Sequence, residues 1–217
     1  MRTHTKDTQK HLTPRLAWKI LTEGNQRFIS NLRLNRNFLQ QVNETSGDQF
    51  PFAAILSCMD SRTSAELIFD QGLGDIFSIR IAGNVLNDDI LGSMEFACQV
   101  AGSKLIVVLG HSSCGAVKGA CNHVEMGHLT GLLEKIQPTV DRMQQRHGEG
   151  LSKDDFVQAV ALENVLHTMA EIEGRSSILR HLLREGKIGI VGAFYSVEEG
   201  TVTTLRETFH DAPLELT

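Results

Sequence analysis

The sequence predicts an α/β fold with a central, mostly parallel four-stranded sheet, a fifth edge strand, flanking helices and an N-terminal helical arm. Short apolar runs without polar alternation recur along the 217-residue chain, which is typical of strands covered on both faces. Stretches with apolar residues at helical spacing separate these runs. Strands that alternate with helices in this way are typical of parallel βαβ units.

Four apolar runs predict the buried strands, and the strongest contains the longest apolar segment of the chain, Leu105–Gly110. A fifth segment, GTVTTL, predicts a short edge strand because it is more polar. In chain order the five predicted strands are Phe52–Cys58, Asp75–Arg80, Lys104–His111, Lys187–Tyr195 and Gly200–Leu205.

Capping residues place the predicted helices. Thr13 followed by Pro14 predicts the start of the first helix, which we expect to be interrupted at Glu23–Asn25. The polar segment Arg33–Asp48 is predicted to be a loop. Residues 1–48 are therefore interpreted as a helical arm and linker, and residues 49–217 as the α/β domain, within one folding unit. The further predicted helices are Ser64–Asp70, Leu91–Val100, Leu129–Arg146 with a kink at Pro138, Ser152–Glu173, and Ser176–Glu185 ended by Gly186.

Composition narrows the class of protein. The formal net charge of −5 does not favour binding to nucleic acid or to an anionic membrane. No apolar run approaches the roughly 20 residues that span a bilayer. The polar segment Met1–Lys10 lacks the apolar stretch of a secretory signal, so a cytoplasmic location is expected. In a reducing compartment the four cysteines are expected to bind metal, catalyse or pack rather than form disulfides.

Reactive side chains concentrate in two segments, Cys58–Arg62 and His111–Gly115, each directly after a predicted strand. Ligands of open parallel sheets bind beyond the carboxyl ends of the strands, so both segments could converge. Thiolate and imidazole ligands suit zinc, and Cys58, His111 and Cys114 would leave one of four tetrahedral positions open, as in catalytic zinc sites. The alternative is that these cysteines only pack, and packing is the better interpretation for Cys98 and Cys121.

Asp60 and Arg62 strengthen the catalytic interpretation. An ionised Asp60 could accept a hydrogen bond from a zinc-bound hydroxide and orient it toward an electrophile. The Arg62 guanidinium matches a carboxylate bidentately, so it would hold Asp60 and lower its pKa. Taken alone, the pair would be better explained as an incidental salt bridge in a surface turn.

These residues resemble the β-class carbonic anhydrases, in order over most of residues 12–205. The paired CxDxR and HxxC patterns at strand ends are specific together, although each is weak alone. The matching segments are EGNQRF at Glu23–Phe28, CMDSR at Cys58–Arg62, RIAGN at Arg80–Asn84, LGSMEFA at Leu91–Ala97 and GHSSCGAV at Gly110–Val117.

The resemblance implies a lyase that hydrates carbon dioxide reversibly to bicarbonate and a proton. It implies one catalytic Zn²⁺ per chain on Cys58, His111 and Cys114, with hydroxide attack assisted by Asp60 and Arg62. It also implies a homodimer embraced by the N-terminal arm, or a dimer of dimers.

Five positions of this sequence match substrate-pocket positions of the family. Gln49 resembles a glutamine that reaches the substrate across the dimer interface, and Gly115 a glycine whose backbone N–H contacts a bound anion. Phe77, Ala82 and Phe96 match apolar pocket positions, although core packing explains the two phenylalanines nearly as well. Phe96 stands where many members have tyrosine, and Ala82 where valine is common. Ile55 replaces a tryptophan that some members use in an inhibitory bicarbonate site, which argues against that site here.

Other functions remain open at this point. The same metal-site motifs would serve hydrolysis of carbonyl sulfide or carbon disulfide. A zinc-stabilised interaction module with Asp60 as fourth ligand, or a metal-free Cys58–His111 nucleophilic pair, are further alternatives. Gly72–Gly74 lacks the context of a phosphate-binding loop, so nucleotide binding is not expected. His123 and His128 are candidate proton shuttles, although an ordinary role as solvated surface histidines is the better interpretation.

Overall fold

The computed structural model describes residues 3–148 and 150–210. Five strands form one sheet in the order β2-β1-β3-β4-β5. The first four strands pair in parallel and β5 pairs antiparallel with β4. This confirms the predicted α/β class with a mostly parallel four-stranded sheet and a fifth edge strand. The strands are β1 Ala53–Ser57, β2 Ile76–Arg80, β3 Leu105–His111, β4 Gly189–Tyr195 and β5 Val202–Thr208.

The burial of each strand follows from its place in the sheet. Every residue of β1, β3 and β4 is buried, as the continuous apolar runs predicted, because helices cover both faces. The edge strands β2 and β5 mix buried or half-buried residues with exposed ones. Alternate residues of β3 point to opposite faces: Ile106 packs into one apolar cluster and Val107 into the other.

Ten α-helices with a 3₁₀ and a π segment surround the sheet within the described ranges. They are α1 Lys6–Lys10, α2 Pro14–Ile29, α3 Phe38–Glu44, α4 Ala65–Ile68, the 3₁₀ turn Ala82–Asn84, α5 Asp88–Glu95, the π segment Phe96–Val100, α6 Gly115–Cys121, α7 Gly127–Leu133, α8 Gln137–His147, α9 Lys153–Arg175 and α10 Ser177–Arg184. Among these residues, none of the helices is both long and apolar enough to cross a membrane.

The predicted interruption of the first helix is wrong, since α2 runs unbroken through Gly24. A Cβ at Gly24 would lie 1.8 Å from the Phe69 carbonyl oxygen, so glycine lets the helix pack directly against backbone. The next residue, Asn25, donates from its side-chain amide to the carbonyls of Ile68 and Gly200. Both residues therefore serve the packing of α2 and do not end it.

Two other helix predictions also need correction. The segment predicted as a loop contains α3, which begins after Asn37, whose side chain accepts from the Gln40 N–H. The single kinked helix predicted over Leu129–Arg146 is two helices, α7 and α8. Pro138 lies in the first turn of α8, where its missing N–H breaks no helical hydrogen bond, so it starts a helix rather than kinking one.

Asp70 attaches the N-terminal segment to the α/β body. Its carboxylate accepts from Arg27 Nε at 2.6 Å, from the Leu34 N–H at 3.3 Å and from the Arg36 guanidinium. The side chains of Asp70 and Arg36 are only 3% and 4% exposed. This buried ion pair fixes the chain between α2 and α3 on the body.

Candidate metal centre

Two neighbouring parallel strands bring the predicted ligands together. Cys58 directly follows β1, His111 is the last residue of β3, and Cys114 precedes the first turn of α6. Ser113 adopts a left-handed conformation with φ of 57°, which reverses the chain between His111 and Cys114. All three side chains are buried, and their candidate ligand atoms lie within 4.8 Å of one another. The Sγ atoms of Cys58 and Cys114 are 3.9 Å apart.

The hydrogen bonds of His111 fix which ring nitrogen can bind a metal. Nδ1 lies 2.8 Å from the Ser112 carbonyl oxygen, and since a carbonyl only accepts, Nδ1 carries the proton. The lone pair is therefore on Nε2, which is buried and has no hydrogen-bond partner among the described residues. An unpaired buried acceptor is unfavourable. A cation bound by the two sulfurs and Nε2 would satisfy it, so the donor set fits a metal such as zinc.

The two thiols share their charge unequally. A hydrogen bond from the Cys114 thiol lowers the pKa of the Cys58 thiol to about 4, against the opposing effect of burial. The thiolate of Cys58 and burial together raise the pKa of Cys114 far above its usual value. The Gly83 N–H also donates to Cys58 Sγ, at 3.3 Å. Cys58 is therefore the thiol of the pair that ionises first, and a divalent metal bound by both sulfurs would displace the proton of Cys114.

The turn that follows Cys58 presents Asp60. The side-chain hydrogen bonds from Arg62 hold the pKa of the Asp60 carboxyl well below its usual range, against a smaller opposing effect of burial. Arg62 also reaches the Ser113 carbonyl at 3.5 Å, so it lies between the two ligand-bearing turns. Asp60 is therefore an anionic acceptor two residues after Cys58, one of the candidate metal ligands.

Two residues that sequence reasoning left without a role support this turn. The hydroxyl of Thr63 lies 2.8 Å from the Cys58 carbonyl and 2.9 Å from the Asp60 carbonyl. Arg80 donates to the same two carbonyls, at 3.2 and 2.6 Å. Arg80 is the first residue of the RIAGN segment, so the sequence motif includes it. The motif could not show its acceptors, because the Cys58 and Asp60 carbonyls follow the neighbouring strand, β1.

The structure places three of the predicted pocket residues, Gln49, Phe77 and Phe96, in cavities apart from the cluster of Cys58, His111 and Cys114. The rings of Phe77 and Phe96 meet edge to face at 6.3 Å and line an open cavity of about 820 Å³ beside Arg80. Gln49 lines a neighbouring cavity of about 740 Å³, which also includes Phe96. Neither cavity is lined by a cluster residue.

The remaining predicted pocket residues lie nearer the cluster. Ala82 starts the 3₁₀ turn that contains Gly83, and Gly115 is the first residue of α6, directly after Cys114. Gly115 is exposed, and none of the described atoms outside its own helix turn lies within 4 Å of a Cβ built there.

Comparisons with known proteins agree on one family. A family profile described as "Carbonic anhydrase" matches residues 53–202. Carbonic anhydrase 2 from Mycobacterium tuberculosis (strain CDC 1551 / Oshkosh) is 41% identical over 196 residues, which cover 86% of this chain and 90% of that protein. The solved structure of the beta-carbonic anhydrase CcaA is 27% identical, with a TM-score of 0.72 and coverage of 87% of this chain and 95% of that one.

One relative acts on a sulfur compound. The carbon disulfide hydrolase of Acidithiobacillus thiooxidans is 32% identical over 77 residues, which cover 33% of this chain and 36% of that protein. Its similarity is thus confined to about a third of either chain.

Proposed function

The chain belongs to the β-carbonic anhydrase family, and we propose that it hydrates carbon dioxide reversibly to bicarbonate and a proton at a zinc ion on Cys58, His111 and Cys114. One observation carries the metal assignment: the three buried ligand atoms converge, and His111 Nε2 has no partner within the described residues. A nucleophilic pair of Cys58 and His111 alone would leave the approach of Cys114 unexplained.

Zinc at this cluster supplies Lewis acidity, which makes water a nucleophile near neutral pH. Two thiolates and a neutral imidazole cancel the formal charge of Zn²⁺, so a further anionic group that accepts a hydrogen bond from the nucleophile and orients it would assist the reaction. Asp60 is suited to this role because it stays ionised beside Arg62. Arg62 fixes the direction of the carboxylate.

The engagement of Asp60 favours an open metal site over a closed structural one. Arg62 donates to both carboxylate oxygens, so neither is free of hydrogen bonds. Among the described residues, the group of candidate ligand atoms that lie within 4.8 Å of one another comprises Cys58, His111 and Cys114, so the Asp60 carboxylate would have to move to become a fourth ligand. The interaction-module alternative depends on that fourth bond, and the geometry supports the orienting role instead.

The pocket assignments complete the proposal. Phe77, Ala82 and Phe96 offer apolar surface, which suits a small apolar molecule such as carbon dioxide. Phe77 and Phe96 line an open cavity, so they would exclude water only where a partner chain covers it. The exposed backbone of Gly115 offers an N–H to bicarbonate. Carbonyl sulfide and carbon disulfide would meet the same groups, and a relative that matches a third of the chain does not favour them.

A homodimer, or a dimer of dimers, is part of this proposal. The apolar side chains of Phe38, Leu39 and Val42 on α3 are 55%, 72% and 49% exposed, which is unfavourable for a monomer. Val42 and Gln49 share one cavity with Phe96, so the arm borders the predicted substrate pocket. A partner's arm that covers this surface would enclose the pocket and bring in the partner's copy of the Gln49 position.

Zinc content and carbon dioxide hydration test the proposal together. We expect one zinc per chain by elemental analysis and hydration activity in stopped-flow assays. Asp60→Asn should retain zinc and lose most activity, whereas Asp141→Asn, an exposed change on α8, should lose neither. Absence of hydration by zinc-loaded protein across pH 7 to 9 would overturn the proposed reaction. Zinc retained in full after Cys58→Ser would overturn the assigned ligand set.

A further inference from the structure

A buried polar contact links helix α9 to the sulfur of a metal ligand. The side-chain amide of Asn164 donates to the Gly83 carbonyl at 2.9 Å, across 81 positions of sequence. The N–H of the same glycine donates to Cys58 Sγ at 3.3 Å. Asn164 is 2% exposed, so this contact lies inside the protein. One glycine therefore connects an amide on α9 with the Cys58 sulfur.

The turn that carries Gly83 is conformationally demanding. Gly83 and Asn84 both adopt left-handed backbone conformations, with φ of 67° and 44°. Left-handed conformations are unfavourable for residues other than glycine, so Asn84 needs support from its surroundings. A Cβ at Gly83 would also lie 2.7 Å from Ile136 Cδ1. The position and direction of the Gly83 N–H therefore depend on what holds the turn.

Helix α9 supplies that support with two donors one turn apart. The side-chain amide of Asn164 donates to the Gly83 carbonyl, and the hydroxyl of Thr168 lies 3.5 Å from the Asn84 carbonyl. Residues four apart lie on one face of a helix, so both side chains point at the same turn. Asn164 makes the shorter of the two contacts, and its acceptor, Gly83, is the residue whose N–H donates to Cys58 Sγ.

We propose that Asn164 is a positioning residue for the metal site, which orients the Gly83 N–H toward Cys58 Sγ. The proposal rests on the proposed function, because it presumes that Cys58 binds the metal. A hydrogen bond to a ligating thiolate withdraws charge from the sulfur and tunes the metal. Loss of Asn164 leaves the Gly83 carbonyl unpaired in the interior, so the turn should shift and the N–H should leave the sulfur.

Cobalt(II) substitution reports on this sulfur directly, because thiolate-to-cobalt charge transfer absorbs in the near ultraviolet. In Asn164→Ala we expect this band at longer wavelength, since a thiolate without its N–H donor gives up charge more readily. Affinity for cobalt and zinc should fall about 10- to 100-fold, as for other groups that orient metal ligands. Hydrogen exchange of the Gly83 amide should be faster in the metal-free variant than in the metal-free wild type.

Asn25→Ala is the matched control. Asn25 is also a buried asparagine that donates to two backbone carbonyls, but it lies on α2, on the other face of the sheet. We expect it to lower stability without moving the charge-transfer band or the metal affinity. If Asn164→Ala does not fold, Asn164→Ser replaces it, because serine can satisfy its hydroxyl on its own helix and is too short to reach Gly83.

The outcomes separate the two proposals. If the wild type shows no thiolate-to-cobalt band, the metal assignment fails. Suppose instead that the wild type shows the band and the folded Asn164 variant has the same band wavelength, cobalt affinity and Gly83 exchange rate as the wild type. The positioning role of Asn164 is then overturned, while the metal site stands. A shift of equal size in Asn25→Ala would also overturn it, because general destabilisation would then explain the effect.

Discussion

Arg62 holds the carboxylate of Asp60 with three donors. Its Nε and Nη2 donate to Oδ1 and Oδ2 at 2.9 and 2.8 Å, and its backbone N–H donates to Oδ1 at 3.0 Å. This arrangement closes within a three-residue turn, so it can form as soon as the turn does. It leaves Asp60 charged and fixed in direction beside the candidate metal ligands.

Replacement of Arg62 by lysine tests the importance of that direction. Arg62→Lys keeps the positive charge but loses the planar fork, so Asp60 should stay ionised and become misaligned. We expect kcat/KM for carbon dioxide hydration to fall about 10- to 100-fold, with zinc content unchanged. Arg175→Lys, which alters an Arg–Asp contact of 2.7 Å to Asp88, is the control and should keep full activity. An unchanged kcat/KM in Arg62→Lys would show that charge alone suffices.

Removal of a sulfur ligand should separate metal binding from folding. Cys58→Ser is expected to lose most of its zinc and its activity, yet to keep native circular dichroism, because most of the core consists of apolar side chains. Cys98→Ser is the matched control: this buried thiol has its pKa raised to about 12 by burial and takes no part in the cluster. It should retain one zinc per chain. Unfolding of the wild type by chelation alone would instead favour a structural metal.

Asp70 should make stability depend on pH. Burial raises the pKa of Asp70, but hydrogen bonds from Arg27 and Arg36 outweigh it, so the pKa is lowered on folding. The stabilisation is then present above the unfolded pKa near 3.9 and is lost as the pH falls through the folded value. Asp70→Asn should lower the free energy of unfolding by about 3 kcal/mol at pH 7, because Arg36 is left buried without its partner.

Urea unfolding of the wild type and Asp70→Asn between pH 7 and pH 3 measures this effect. The difference in unfolding free energy between the two proteins should shrink as the pH drops below about 4. Asp141→Asn, at an exposed position, should show almost no difference at any pH. A difference for Asp70→Asn that stays constant across this range would contradict the ion-pair explanation.

Gly83 should tolerate no side chain. Gly83→Ala would place a Cβ 2.7 Å from Ile136 Cδ1 in a left-handed conformation. We expect it to lower the free energy of unfolding by at least about 2 kcal/mol and to weaken zinc binding. Gly174→Ala, in helix α9 with no atom within 4 Å of the added Cβ among the described residues, should be neutral or slightly stabilising. Equal effects of the two changes in denaturant unfolding would refute the steric explanation.

The exposed apolar surface of α3 should control the oligomeric state. Leu39 is 72% exposed, so Leu39→Asp has little to disturb within one chain but would bury a charge in the proposed interface. We expect light scattering to show a shift toward monomer and activity to fall with it. Ile178→Asp, at a 40% exposed position on α10, is the control. A Leu39→Asp protein with the wild-type mass would place the interface elsewhere.

Much of the sheet and the candidate ligand set could be predicted because both depend on short-range patterns. Continuous apolar runs identified the strands, with ends displaced by a few residues: the edge strand is Val202–Thr208 rather than Gly200–Leu205. The CxDxR spacing fixed the Asp60–Arg62 pair, since two residues apart in one turn suffice to form it. The HxxC spacing likewise predicted that His111 and Cys114 face one point, where the structure brings them together with Cys58.

The remaining features required the tertiary structure, because they join residues that only the sheet register brings near. Gly24 lies within helix α2 because the Phe69 carbonyl packs so closely there that a Cβ would have no space. Asp70 pairs with Arg36, 34 positions away in the sequence, and Asn164 donates to Gly83, 81 positions away. In the local sequence Gly24, Asp70 and Asn164 are ordinary small or polar residues, and nothing nearby indicates these contacts. The sequence by itself thus determined which groups could bind and activate a metal. The packing of α9 brought Asn164 to Gly83, whose N–H donates to the sulfur of one candidate ligand, Cys58.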